Sequence, residues 1–191
     1  LYYKILTEHP KAETARSYLR NRGISEKSIS EWQIGYAPKA WDLLIKVLAK
    51  KGYPEKEVFK AGLLVFGEQG KYYDRFRGRI MFPIKNISGQ VIAFTGRVLE
   101  DDGKSAKYVN SSESPIYIKG KTIFALDKAR ADIRAQGLSV MVEGQMDVIS
   151  AHQSGFHNVV AVSGTALTSE QLKILGRYSS DIIFSFDSDS A

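Results

Sequence analysis

Four acidic residues late in the chain carry the first chemical signal. Glu143 follows the apolar run 138–142 and Asp147 lies four positions further on, while Asp187 and Asp189 follow the apolar run 181–186. Asp187 and Asp189 are two apart, so in an extended chain their side chains project to the same side. Carboxylates gathered at one rim repel each other unless a cation lies among them. Hard oxygen ligands of this kind suit Mg²⁺ or Mn²⁺. The plainer alternative is that Glu143 and Asp147 cap a helix and that Asp187 and Asp189 occupy a solvated turn.

The elements that must position these acids are legible around them. Residues 138–142, 158–162 and 181–186 are short runs rich in β-branched and aromatic side chains, each bounded by turn signals. That pattern predicts strands buried on both faces. Helical patterns lie between them, over 146–153 with Gly155 as a stop and over 168–178. Alternating strands and helices imply a parallel sheet with right-handed crossovers. Sites in such sheets form outside the carboxyl ends of the strands, where Glu143 and Asp187 fall.

A second set of chemistry-bearing residues is basic. Arg75, Arg77 and Arg79 alternate within residues predicted to form antiparallel strands, at 63–66, 71–76, 79–84 and 90–94. Alternation puts all three on one strand face, where they repel unless an anion lies across them. The planar guanidinium fork suits phosphate; pairing with Asp74 or Glu68 is the alternative. Arg97 extends the theme. Tyr72, Tyr73, Phe76 and Phe82 are interleaved, and one exposed ring among them could stack a base. Residues 100–124 form a long polar connection bracketed by Lys107, Lys119 and Lys121, and on physical grounds alone they read as a mobile basic loop. Upstream, residues 1–61 read as helical scaffold with a break at 34–38. Its one charged cluster is Arg16, Arg20 and Arg22, of which Arg20 fits an exposed helix face.

Composition sets the outer limits. The chain has 191 residues, no cysteine and a net charge of +6. Residues 1–140 hold 25 Lys and Arg against 15 Asp and Glu, a net +10, whereas residues 141–191 hold 2 against 6, a net −4. A basic body beside an acidic rim fits a polyanionic partner and a metal site. Disulfides and a cysteine zinc site are excluded. No run approaches the roughly 20 apolar residues that a membrane helix needs. His152 and His157 lack metal spacing and read as structural, and no glycine-rich phosphate loop of the ATPase type is present. The chain opens at Leu1 without a methionine, which predicts an excised piece of a longer protein.

Taken in order, these residues resemble a known family. Glu143-Gly144 after a strand with Asp187-x-Asp189 after a later one is similar to the Toprim fold. The stretches Glu143-Gly144-Gln145-Met146-Asp147, Ser163-Gly164-Thr165-Ala166-Leu167, Arg75-Phe76-Arg77-Gly78-Arg79 and Lys107-Tyr108-Val109-Asn110-Ser111 resemble the bacterial replicative DNA primase of DnaG type. The resemblance extends over nearly the whole chain. It implies an α+β chain: a basic N-terminal subdomain at 1–136, helical to about residue 61 and then an antiparallel sheet, followed by a truncated α/β Toprim domain at 137–191 with parallel strands. It also implies an RNA-polymerising enzyme that makes short primers by metal-dependent nucleotidyl transfer. Glu143, Asp187 and Asp189 would be catalytic and, with Asp147, would hold Mg²⁺ or Mn²⁺. Arg75, Arg77, Arg79, Arg97, Lys107, Tyr108, Asn110 and Lys119 would bind nucleotide and template, with Arg16 or Arg22 adding a nucleotide-facing arginine. Gly164 and Thr165 would let backbone approach a phosphate. The implied partners are single-stranded DNA template, ribonucleoside triphosphates, the RNA primer–DNA hybrid and, through a domain outside this chain, the replicative helicase, all in the cytoplasm and none in a membrane.

Two departures qualify the resemblance. The family usually places glycine between the two aspartates where this chain has Ser188, and its Toprim domain continues beyond the point where this chain stops. The expectation is therefore weak or no activity for the piece alone. Two other readings compete: a DNA-cleaving Toprim enzyme such as a topoisomerase, which needs a tyrosine nucleophile, and a module that only binds single-stranded DNA.

Overall fold

A computed structural model describes residues 1–100, 103, 105–162 and 166–186. Helix α1 (Tyr2–Glu8), a 3₁₀ turn (Pro10–Ala12), α2 (Glu13–Asn21) and α3 (Glu26–Glu31) open the chain. Strand β1 (Gly35–Ala37) follows, then α4 (Leu43–Ala49) and α5 (Glu55–Lys60). Next come β2 (Leu64–Phe66), β3 (Tyr72–Asp74), β4 (Arg79–Lys85), β5 (Val91–Val98) and β6 (Tyr108–Asn110). A 3₁₀ turn (Lys119–Lys121) leads to α6 (Leu126–Gln136), β7 (Leu138–Val142), α7 (Gln145–Gln153), β8 (Val159–Ala161), α8 (Ser169–Leu175) and β9 (Asp181–Ser185). Strands β1-β4-β5-β6 form an antiparallel sheet, β2 and β3 a hairpin, and β8-β7-β9 a parallel sheet. The α+β architecture and the parallel C-terminal unit are as the sequence pattern predicts.

The parallel sheet is packed on both sides by different cores. Val159 and Ala161 face one cluster, together with Val148 and Ile149 of α7 and Trp32, Ile80 and Phe82 from the N-terminal part. Met141 and Val160 face the other, with Ala129 and Ile133 of α6 and Leu175 of α8. Alternation along β7 and β8 divides their side chains between the two. Helix α7 is thus sandwiched between its own sheet and the helical N-terminus.

Four expectations need correction. The break at 34–38 contains β1, paired to β4 in register Gly35↔Met81. Its glycine hid it: a Cβ on Gly35 would lie 2.6 Å from the Tyr2 backbone, so glycine is what lets α1 pack on this strand. The predicted strand at 71–76 stops at Asp74, whose buried carboxylate accepts from Leu44 N at 2.7 Å and Ile45 N at 3.2 Å to cap α4. The chain then leaves the hairpin through Gly78, at φ +61, before β4 begins. Arg75, Arg77 and Arg79 therefore do not share a strand face. The polar connection is not a loop throughout, because Tyr108–Asn110 extend the antiparallel sheet as β6. Strand β9 is not buried on both faces either: Ile183 and Phe184 are 51% and 48% exposed, since among the described residues β9 pairs with β7 alone.

Candidate functional site

The acidic rim is built by a strand end and a helix start. Strand β7 ends at Val142, Glu143 follows, Gly144 is the N-cap of α7, and Asp147 is the third residue inside it. Gly144 N donates to Asp147 Oδ2 at 3.1 Å, so one carboxylate oxygen satisfies an orphan helix donor. A Cβ at Gly144 would sit 2.7 Å from that oxygen, so a larger residue there would make the carboxylate shift. Glu143 and Asp147 are both exposed and stand at the positive end of the helix dipole, where carboxylates are favoured. Among the described residues no three of His, Cys, Asp and Glu gather as a metal site. Asp187 and Asp189 lie outside the described residues, as do Gly164 and Thr165.

Glu143 and Asp147 line a cavity of about 790 Å³ together with basic and aromatic residues: Tyr18, Arg22, Arg97, Lys107 and Tyr108. The guanidinium of Arg97 lies 4.7 Å from the centre of the Tyr18 ring and 5.9 Å from that of Tyr108. Arg22, the C-cap of α2, lies 5.5 Å from the Tyr18 ring. The rings keep both guanidiniums at the cavity, and Arg97 Nη1 also donates to Val98 O at 3.2 Å. Burial raises the pKa of the Tyr108 phenol, against the lowering effect of Arg97. Thr95 and Gln145, both buried, line the same cavity. Arg16 instead donates to Leu6 O at 2.7 Å and His9 O at 3.1 Å and pairs with Glu13, tying α1 to α2. Of the two candidates, Arg22 is the one at the cavity.

A second cavity, of about 540 Å³, lies on the other side of β6 and is lined by Arg75, Arg77 and Arg79 with Lys39 and Trp41. The three arginines differ in kind. Arg77 stacks 4.2 Å from the Trp41 ring centre and 4.9 Å from that of Tyr73. Arg75 Nε donates to Asn110 O at 2.9 Å, linking this cavity to β6. Arg79 is 8% exposed, and its Nη1 faces Gly96 O and Ala106 O at 3.0 Å and Lys107 O at 3.3 Å. It is a brace for the segment that carries Lys107. Lys119 stands apart, its N donating to Glu113 and its carbonyl accepting from Gln171 at the α8 junction.

The sequence reading missed Tyr18 and Trp41. Trp41 is 65% exposed just before α4, an exposure that the sequence does not reveal. His152 is structural, as expected: it is buried, edge-on to Trp32, and its Nε2 donates to Val159 O at 2.9 Å.

Fold and site together define a Toprim-like α/β unit joined to a basic antiparallel-sheet body. The Toprim-like family model matches residues 140–191, and the model for the N-terminal domain of the DNA primase catalytic core matches residues 2–130. The chain belongs to the DNA primase catalytic-core family. A DNA primase from Deinococcus radiodurans is 46% identical over 93% of this chain, and one from Pseudomonas putida is 44% identical over all of it. The chain spans 31% and 29% of the length of those two relatives. The crystal structure of a primase domain from Pseudomonas aeruginosa superposes with a TM-score of 0.91 at 42% identity, covering 99% of this chain and 59% of that one. A DnaG primase catalytic domain bound to single-stranded DNA superposes at 0.87 with 39% identity, covering 98% of this chain and 58% of that one.

Proposed function

We propose that this chain is the template- and nucleotide-handling part of a bacterial replicative primase, a DNA-directed RNA polymerase that makes short primers on single-stranded DNA. One observation carries the reading: Arg22, Arg97, Lys107 and Tyr108 line a single cavity with Glu143 and Asp147. Cations and carboxylates in one cavity suit a triphosphate held between guanidiniums and a divalent ion. Residues 1–136 supply the grip and residues 137–191 the acidic rim. The family membership offers nothing to the DNA-cleaving reading.

The donor set fits a hard divalent cation, Mg²⁺ or Mn²⁺: Glu143 and Asp147 bring carboxylate oxygens to one exposed lip, and Asp187 and Asp189 complete the set in this reading. When bound, the ion lowers the pKa of the attacking 3′-hydroxyl and shields the triphosphate. The chain's own groups do the rest. Arg97, held beside Tyr18 and Tyr108, brings a guanidinium to the phosphate, and Arg22 and Lys107 add charge. Gly164 and Thr165, outside the described residues, would let backbone approach a phosphate in this reading. In the second cavity Trp41 and Tyr73 hold the Arg77 guanidinium, which binds the template backbone with Arg75. Asn110 touches the second cavity only through the carbonyl that accepts from Arg75, and Lys119, at the α8 junction, lies apart from both. The primer–template hybrid leaves between the two walls, and the replicative helicase engages the protein elsewhere, in the cytoplasm.

The test is incorporation of labelled ribonucleotides on single-stranded DNA by the full-length protein with Mg²⁺ or Mn²⁺, beside Glu143→Gln. Short RNA from the unmutated protein and none from the variant supports the reading. DNA binding without RNA from either protein refutes it in favour of a binding module.

A further inference from the structure

The far end of α7 is tied to the turn that carries Arg22. Gln153, the last residue of α7, accepts at Oε1 from Ser25 N at 2.9 Å and from Ser28 Oγ at 2.7 Å, and its Nε2 donates to Gly23 O at 2.8 Å. Gly23 directly follows Arg22, and Ser25 is the N-cap of α3. One primary amide therefore clasps the α2–α3 turn from both sides. The first turn of the same helix holds Asp147, and Arg22 and Asp147 line the same cavity.

We propose that Gln153 is a positioning residue: through α7 it fixes the distance between the Arg22 guanidinium and the Glu143–Asp147 rim, and so sets the width of the nucleotide cavity. This rests on the nucleotide-handling reading above. An α-helix of nine residues is a strut of about 13 Å. Its middle is held independently, because Val148, Ile149 and His152 are buried beneath it and His152 packs edge-on to Trp32 at 5.1 Å. Loss of the amide therefore leaves α7 docked and loosens the turn, which then rests on its own bonds from Gly23 N to Arg20 O and Ile24 N to Leu19 O and on buried Ile24. Arg22 is exposed and sits at a helix end, so a loosened turn lets its guanidinium drift from the rim.

The experiment uses the full-length protein with Gln153→Met, which keeps side-chain length and removes all three hydrogen bonds. With exposed bonds of ordinary strength, KM for ribonucleoside triphosphate is expected to rise about fivefold to tenfold while kcat changes by less than about twofold. The deciding arm is a double-mutant cycle. In an Arg22→Ala background, Gln153→Met should raise KM no further, because the residue it positions is gone. Gln153→Glu keeps the acceptor for Ser25 and Ser28 but turns a carboxylate oxygen toward Gly23 O, and should fall between the two. An equal rise in KM in both backgrounds, or a lower Tm with KM unchanged, overturns the proposal. RNA made normally by every Gln153 variant overturns it while sparing the primase reading. No RNA and no nucleotide binding by the unmutated protein overturns both.

Discussion

Replacing Arg79 by methionine separates a brace from a phosphate ligand. Arg79 Nη1 carries two hydrogens and faces three carbonyls, so its contacts amount to about two full charge-assisted bonds. Each such bond contributes roughly 1.5–3 kcal/mol. Methionine fills most of the volume, and the carbonyls of exposed Ala106 and Lys107 regain water, but that of buried Gly96 does not. The expected loss is about 3 kcal/mol. For a chain of this size that lowers Tm by about 6–12 °C. Arg77→Met, at the half-exposed stack on Trp41, loses one bond, from Nη1 to Asp74 O, and should lower Tm by about 2–6 °C, less than Arg79→Met. It should also reduce the salt slope of single-stranded DNA binding by about 0.7, the signature of one lost phosphate contact. Thermal melts and DNA titrations at three salt concentrations read both quantities. An Arg79→Met protein with an unchanged melt and a slope reduced by a full contact would refute the reasoning and restore the arginine ladder that the sequence pattern predicted.

Three further outcomes follow from the same geometry. Gly144→Ala puts a methyl 2.7 Å from Asp147 Oδ2, so the carboxylate must swing off its capping bond; Mn²⁺ affinity, read by metal titration, should weaken several-fold. Tyr2 has a buried hydroxyl with no hydrogen-bond partner among the described residues, and burial pushes its pKa far up; Tyr2→Phe should keep the edge contact to Phe94 and stabilise the protein by about 1 kcal/mol, seen as a higher Tm. Burial holds the pKa of His152 below its usual value of 6.5, with His157 and Lys128 pushing the same way and the Val159 bond and Asp132 opposing. As pH falls through about 6.5 the unfolded chain takes the proton first, so stability drops between neutral pH and the lower folded pKa and then levels. His152→Gln should flatten that drop in melts recorded from pH 8 to pH 4.5.

What the sequence made legible was local. The spacing Glu143-Gly144-x-x-Asp147 works because a strand end, an N-cap and the third helical position follow each other along the chain, and nothing distant decides them. The parallel unit was readable for the same reason. The arginine ladder failed on a distant fact: Asp74 turns back to cap a helix thirty residues upstream, and that ends the strand. Strand β1 was hidden because its identity depends on how closely α1 approaches Gly35. Trp41 and Tyr18 escaped notice because an aromatic ring becomes a guanidinium platform only when another segment delivers the arginine.

The division of charge along the chain gains a physical meaning from β6. Tyr108 lines the cavity that faces the acidic rim, Val109 lines the arginine cavity, and Asn110 O receives Arg75. A single short strand is thus the partition between the proposed nucleotide and template sites. A primase must place a base of the template within reach of an incoming nucleotide, and a partition one strand thick is the smallest that two phosphate-binding surfaces can share. The two surfaces carry like charge and would repel without an anion on each. An acidic rim on the template side would weaken the grip on DNA. Placed beyond the nucleotide cavity, on a helix N-terminus that favours carboxylates, it attracts a cation without opposing the template. Substitution of Val109 by lysine tests this partition: added charge in the arginine cavity should tighten single-stranded DNA binding, whereas a common site would show a change in nucleotide KM as well.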